Sequence, residues 1–131
     1  MAGLVKINTD GSSVDHGWGS YGGLAWDDQG RWIEGFCDII GYANSLTTEL
    51  WGMREGLKLA RDRNWQKVII ESDSEVAVDL VHPCDIENHP DKTLISDCRR
   101  LMVELDADVI HILREGNRCA DMIETVFPCG F

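Results

Sequence analysis

Four carboxylates stand at positions where local pattern alone gives them little reason to be. Asp10 ends the alternating run "KINTD" and Asp73 ends "KVIIESD", so two strand-like segments each deliver an acid to their C-terminal end. Glu49 falls between Leu46 and Met53, on the apolar side of a helical stripe and one turn from its start. Asp121 follows Asn117 in a last short helical segment, "NRCADM". Each acid alone has an ordinary explanation. Asp-Gly is turn chemistry, a first-turn glutamate suits the helix dipole, and an aspartate near a helix start can cap it. Together, however, they occupy strand ends and helix starts, where open α/β sheets gather functional groups. If they converge, unpaired carboxylates about 4 Å apart repel by about 4 kcal/mol per pair at an effective dielectric of about 20. Such a cluster must hold protons or cations. All-oxygen donors suit hard Mg²⁺ or Mn²⁺ rather than zinc. Two such ions held close together form a clamp for in-line displacement at a phosphodiester.

The elements that would position these acids are readable in order. Leu4 to Thr9 reads as a first strand, and the glycine-rich stretch "GSSVDHGWGSYGG" as a turn into a second strand around Leu24 to Trp26. Asp27-Asp28-Gln29-Gly30 is a hairpin signal before a third strand, "RWIEGFCDII". Leu46, Leu50, Met53, Leu57 and Ala60 then mark an amphipathic helix, with Asn44 and Ser45 as cap candidates and Asn64 as its stop. "KVIIES" is a strand buried on both faces, and a short helix follows from Ser74 to about Val81. A second amphipathic helix is expected from about Asp91 to Leu105, then a fifth strand, "DVIHIL", and the helix after Asn117. The fold class expected is α/β, a five-stranded mixed sheet with helices on both faces. The first three strands form an antiparallel meander, and the first, fourth and fifth run parallel.

The 131 residues fit one domain, 1–131, with no internal repeat, linker or low-complexity segment. Hydrophobic content of 44% and charged content of 27% are those of a globular protein, and no apolar run approaches the length of a membrane span. No signal-like N-terminus is present, so an intracellular location is expected, with nucleus and cytoplasm not distinguished. An excised domain of a larger protein would read the same way. Five scattered cysteines without a C-x-x-C pair argue for reduced thiols rather than zinc or a disulfide framework. The net charge of −11 runs against nucleic-acid binding unless local bases or bound cations supply the attraction.

"KINTDGSS", "TTELWGMREGL", "IIESDS" and "GNRCADM", in this order and on matching elements, resemble type 1 ribonuclease H. More narrowly they resemble the plant reverse-transcriptase-like ribonuclease H domains, over Leu4 to Met122. The resemblance implies the ribonuclease H-like fold and hydrolysis of the RNA strand of RNA–DNA hybrids with two Mg²⁺ ions, which Mn²⁺ can replace. It assigns the metal-binding and catalytic acids to Asp10, Glu49, Asp73 and Asp121. Asp10 would bridge both ions, Glu49 and Asp73 would complete the site of the leaving oxygen, and Asp121 would hold the ion that activates water. Gly11, Ser12, Ser13, Ser45 and Ser74 are the implied substrate contacts. The partner implied is a nucleic acid, with no membrane and with the chain acting as a monomer or as a domain of a larger protein.

Several departures from the family pattern are visible. "HILREGNRCAD" lacks the loop histidine that many members carry before the last acid, and His111 reads as a strand residue. Ser45 and Leu46 stand where asparagines are usual, and Glu75 where a glutamine is. No basic protrusion interrupts the chain. Arg54, Lys58 and Arg61 form a basic stripe that reads as a solvated face, and Trp18 and Tyr21 pack or stack near the sheet end. His82 and His89 receive no metal. Two alternatives follow: a catalytically weak or inactive binding module on the same fold, or a nuclease preferring another duplex.

Overall fold

The structure is a computed structural model that describes residues 3–13 and 17–113. Strands β1 (Leu4–Ser13), β2 (Trp18–Trp26) and β3 (Trp32–Tyr42) form an antiparallel meander. Helix α1 (Ser45–Asp62) leads to strand β4 (Lys67–Ser72), helix α2 (Glu75–Val81), helix α3 (Lys92–Leu105) and strand β5 (Asp108–His111). The sheet order is β3-β2-β1-β4-β5, with β4 parallel to both β1 and β5. This is the mixed five-stranded sheet expected. The last expected helix, which carries Asp121, lies outside the described residues. None of the described helices is long and apolar enough to cross a membrane.

The core follows from the two periodicities. Leu50, Met53, Leu57 and Ala60 of α1 are fully buried, together with Ile7 of β1, Ile70 of β4 and Val109 of β5. Alternation along β1 sends Val5, Ile7 and Thr9 toward α1 and sends Lys6, Asn8 and Asp10 to the opposite face. Helix α3 closes the same core with Ile95, Cys98 and Leu101.

The glycine-rich segment departs from its reading as a turn. Most of it is strand, and only residues 14–17 separate β1 from β2. At Gly19 and Gly23 neighbours occupy the space of a side chain. A Cβ on Gly23 would lie 2.4 Å from the Phe36 ring, and one on Gly19 2.7 Å from the Thr48 methyl. The hairpin at Asp27 is as expected. Its carboxylate accepts from the backbone N–H groups of Gln29 and Arg31 at 2.9 Å each, and Gly30 takes the left-handed φ of 76°. Cys84 and Cys98 are free thiols as expected, whereas Cys37 departs from the expectation and is disulfide-bonded.

Tyr21 is the aromatic centre of the meander. It stacks on Trp51 with ring centroids 6.1 Å apart and packs on Phe36. Burial, with smaller contributions from Glu55 and Asp38, pushes its phenol up to about 12. A raised pKa means that the neutral phenol favours the folded state. Its contribution is therefore complete below the unfolded value near 10 and is lost as pH rises toward 12. Tyr21→Phe is expected to remove on the order of 1–2 kcal/mol of the alkaline stability loss, read from denaturant unfolding curves over that range.

Candidate metal centre

The site is assembled where β1 and β4 end. Their parallel register runs from Leu4 opposite Lys67 to Thr9 opposite Ser72, and one step further sets Asp10 beside Asp73. Two residues before the acids, Asn8 Nδ2 donates to Glu71 Oε1 at 2.8 Å across the same pair of strands. That bond pins the register, because a slip of one residue would send Asp10 to the wrong face.

Glu49 arrives from the first turns of α1. Asn44 caps this helix by accepting from the Thr47 N–H at 2.8 Å, and the Thr48 hydroxyl donates back to the Ser45 carbonyl at 2.6 Å. The helix then rests directly on β1 at Gly11. A Cβ there would lie 2.4 Å from the Thr48 carbonyl carbon and 2.6 Å from the Glu49 nitrogen, so a larger residue would force the helix away. The Gly11 N–H donates to Asp10 Oδ1 at 3.0 Å and to Glu49 Oε1 at 3.1 Å. One backbone amide thus aligns two carboxylates. Ser72 Oγ, 3.5 Å from Glu49 Oε2, accepts from the Ser74 N–H at 3.1 Å and ties the start of α2 to the same corner.

As a result, one carboxylate oxygen from each of Asp10, Glu49 and Asp73 lies within 4.8 Å of the other two. Asp10 and Glu49 are only 5% and 8% exposed, which limits how far water can screen them. At that separation ionised pairs repel by about 3 kcal/mol at an effective dielectric of about 20. The donor set is all oxygen and all carboxylate, which fits a divalent hard cation. Asp121, the fourth expected acid, lies outside the described residues.

The other expected contacts divide into two groups. Ser13 donates its hydroxyl to the Ala43 carbonyl at 2.8 Å, and Ser74 is the N-cap of α2, accepting from the Ala77 N–H at 3.3 Å. Both hydroxyls hold the scaffold. Ser12, 3.2 Å from the Ser20 hydroxyl, and the exposed Ser45 stand at the rim. Tyr21 is buried. Arg54 lies 3.2 Å from both Glu55 and Asp97 and 3.9 Å over the Trp51 ring, while Lys58 and Arg61 pair with Glu55 and Asp62. The basic stripe is therefore ion-paired. His111 ends β5 as a strand residue, with Nδ1 4.0 Å from Glu75 Oε2.

Sequence reasoning missed the packing role of Gly11 and the part played by Ser72. The signal for Gly11 was a glycine inside an otherwise alternating strand, which marks close backbone approach. Reading Asp-Gly as a turn concealed it.

The geometry describes a carboxylate site on a mixed α/β sheet, and comparison with known proteins identifies the family and the fold. Residues 8–124 match the reverse transcriptase-like family, and the chain belongs to it. It is 37% identical over 121 residues to an Arabidopsis thaliana protein named "Putative ribonuclease H protein At1g65750", covering 91% of this chain and 20% of that protein. The chain thus spans about a fifth of that relative's length. Among solved structures, RNase H1 from the archaeon Halobacterium salinarum superimposes with a TM-score of 0.85 at 23% identity, over 95% of this chain and 98% of that one. The LC11-RNase H1 in complex with an RNA/DNA hybrid gives 0.79 at 21% identity, over 90% and 91%. At those identities the likeness establishes the ribonuclease H fold.

Two outcomes follow from the packing and the charge. Gly11→Ala is expected to cost about 2 kcal/mol or more of stability and to weaken Mn²⁺ binding, as measured by thermal unfolding and calorimetric titration. Asp10→Asn is expected to do the reverse for stability in chelator. Loss of the repulsion should stabilise the metal-free protein by about 1 kcal/mol or more while Mn²⁺ binding is lost. A metal-free Asp10→Asn protein no more stable than wild type would contradict the repulsion.

Proposed function

We propose that this chain is a divalent-metal-dependent ribonuclease H that hydrolyses the RNA strand of RNA–DNA hybrids. The observation that carries this reading is the meeting of Asp10, Glu49 and Asp73 within 4.8 Å at the end of the parallel strands. The name of the Arabidopsis relative and the hybrid in the LC11-RNase H1 structure support the choice of substrate.

In this reading Asp10, Glu49, Asp73 and Asp121 are the catalytic acids and hold two divalent ions. Bound Mg²⁺ or Mn²⁺ supplies a water of lowered pKa and neutralises charge on the phosphate. The chain's own work is orientation. The Gly11 N–H fixes one oxygen of Asp10 and one of Glu49 before substrate arrives, so little reorganisation remains for the reaction. The Asn8–Glu71 bond holds Asp10 and Asp73 in register. Ser12 and Ser45, at the rim, contact the RNA sugar edge, while the Gly11 N–H stays engaged with the two acids.

A second reading, a binding module that keeps the fold without cutting, draws on the exposed Glu75 at the first turn of α2 and on the paired cations of α1. Cleavage separates the two. The wild type is expected to cut a labelled hybrid with Mg²⁺ or Mn²⁺ and to be silent in chelator. Asp10→Asn and Asp73→Asn are each expected to lower the rate at least about 100-fold, roughly 2.7 kcal/mol in the barrier. Cutting retained in both variants would refute the assignment. A wild type that binds hybrid and never cuts it would favour the module.

A further inference from the structure

The proposed activity requires a grip on a polyanion, and the described surface offers almost no unopposed positive charge. Every described lysine and arginine except Lys67 stands within ion-pair distance of a carboxylate or, for Arg99, donates to backbone carbonyls. A phosphate approaching any of these meets a compensated pair rather than a positive field. Lys67 opens β4, at the opposite end of the sheet from Asp73. The net charge of −11 adds to the difficulty.

The same end of the sheet that carries the acids does expose two aromatic rings. Trp18 and Tyr42 face each other across β2 and β3, 40% and 77% exposed. Their centroids are 5.2 Å apart with the planes at 89°, so one ring keeps both faces clear of the other. An extra residue in β3 near Ile40, together with Gly41 at φ 99°, shifts the register there and brings Tyr42 opposite Trp18. By strand alternation Trp18 lies on the face of Asp10 and Ser12, since Gly19 beside it faces Thr48 of α1. Asp10 pairs with Gly22, four residues along β2 from Trp18, which corresponds to about 13 Å. That spacing lies within the reach of a short oligonucleotide. Stacking is a strong nucleic-acid contact that needs no positive charge, because every base has a π-face.

We propose that Trp18 and Tyr42 form a base-stacking platform for a nucleic-acid strand running from the acid cluster, and that stacking rather than cation–phosphate pairing supplies the grip of this surface. The proposal rests on the ribonuclease reading for its choice of ligand. Binding of a labelled RNA–DNA hybrid with a single-stranded overhang, and of the single strand alone, tests it in the full chain in Ca²⁺. Trp18→Leu and Tyr42→Leu are each expected to weaken binding about 5- to 100-fold, whereas Trp18→Tyr and Tyr42→Phe stay within about threefold of wild type. Raising salt from about 50 to 200 mM should weaken wild-type binding only about tenfold, as for two phosphate contacts. Thermal unfolding checks that each variant is folded.

Unchanged binding by a folded double-leucine variant would overturn the platform, as would a salt loss of about 10³-fold or more. So would a wild type that binds neither probe, or a Tyr42-dependent dimer with no effect on either probe. Hybrid cleavage by the double variant at wild-type KM overturns the platform and leaves the ribonuclease reading standing. Aromatic-dependent binding of the single strand by a protein that cuts nothing does the opposite.

Discussion

The contact between the first turns of α1 and β1 at Gly11 is the constraint on which the rest of the site depends. It places a helix backbone where a side chain would normally stand, and so brings Glu49 to Asp10 across 38 residues of chain. The amide that aligns the two acids belongs to the same glycine. Without this approach the helix would still bury Leu50, Met53 and Leu57, but its glutamate would stand off from the sheet end. Site geometry, unlike the core packing, is thus set by this one contact. The cost is electrostatic, since tightening the contact crowds ionised groups into a place where water screens them poorly. Stability in the absence of cations and readiness to bind them therefore oppose each other here.

Much of this was legible in the sequence, for reasons that lie in periodicity. Asp10 and Asp73 were visible because each interrupts an apolar run at its end, and Glu49 because it breaks a helical stripe. The order and direction of the strands followed from hairpin and crossover signals. The glycine-rich segment was not legible. Glycine carries no side chain whose alternation could announce a strand, and its fit to Phe36 and Thr48 is a tertiary fact. The same applies to Tyr21 and Tyr42. Tyr21 turned out to be the buried partner of Trp51, and the extra residue in β3 gave Tyr42 the exposed position beside Trp18. A one-residue shift of that kind exchanges the faces of a strand and leaves no mark in composition. The serines divided for a similar reason, since only the coordinates distinguish a hydroxyl that caps Ala77 from one at the rim.

The acidity of the chain acquires a specific meaning in this setting. Arg54, held between Glu55 and Asp97 and lying over Trp51, packs α1 against α3 more than it projects charge into solvent. Surface pairs such as Arg63 with Glu34 tie β3 to the end of α1. Among the described residues, the bases other than Lys67 serve the architecture. On the described surface, the acid end of the sheet offers a polyanion neutral donors and ring faces rather than unpaired bases.

The parallel register of β1 and β4 has one more consequence. Asp10 and Asp73 become neighbours only after an entire crossover, helix included, has been laid down, and the Asn8–Glu71 bond closes in the same step. Such distant pairings are among the slow events of chain assembly. A divalent ion that needs both aspartates can then engage only chains whose crossover is complete, so ion uptake would act as a clock on the final stage of self-assembly.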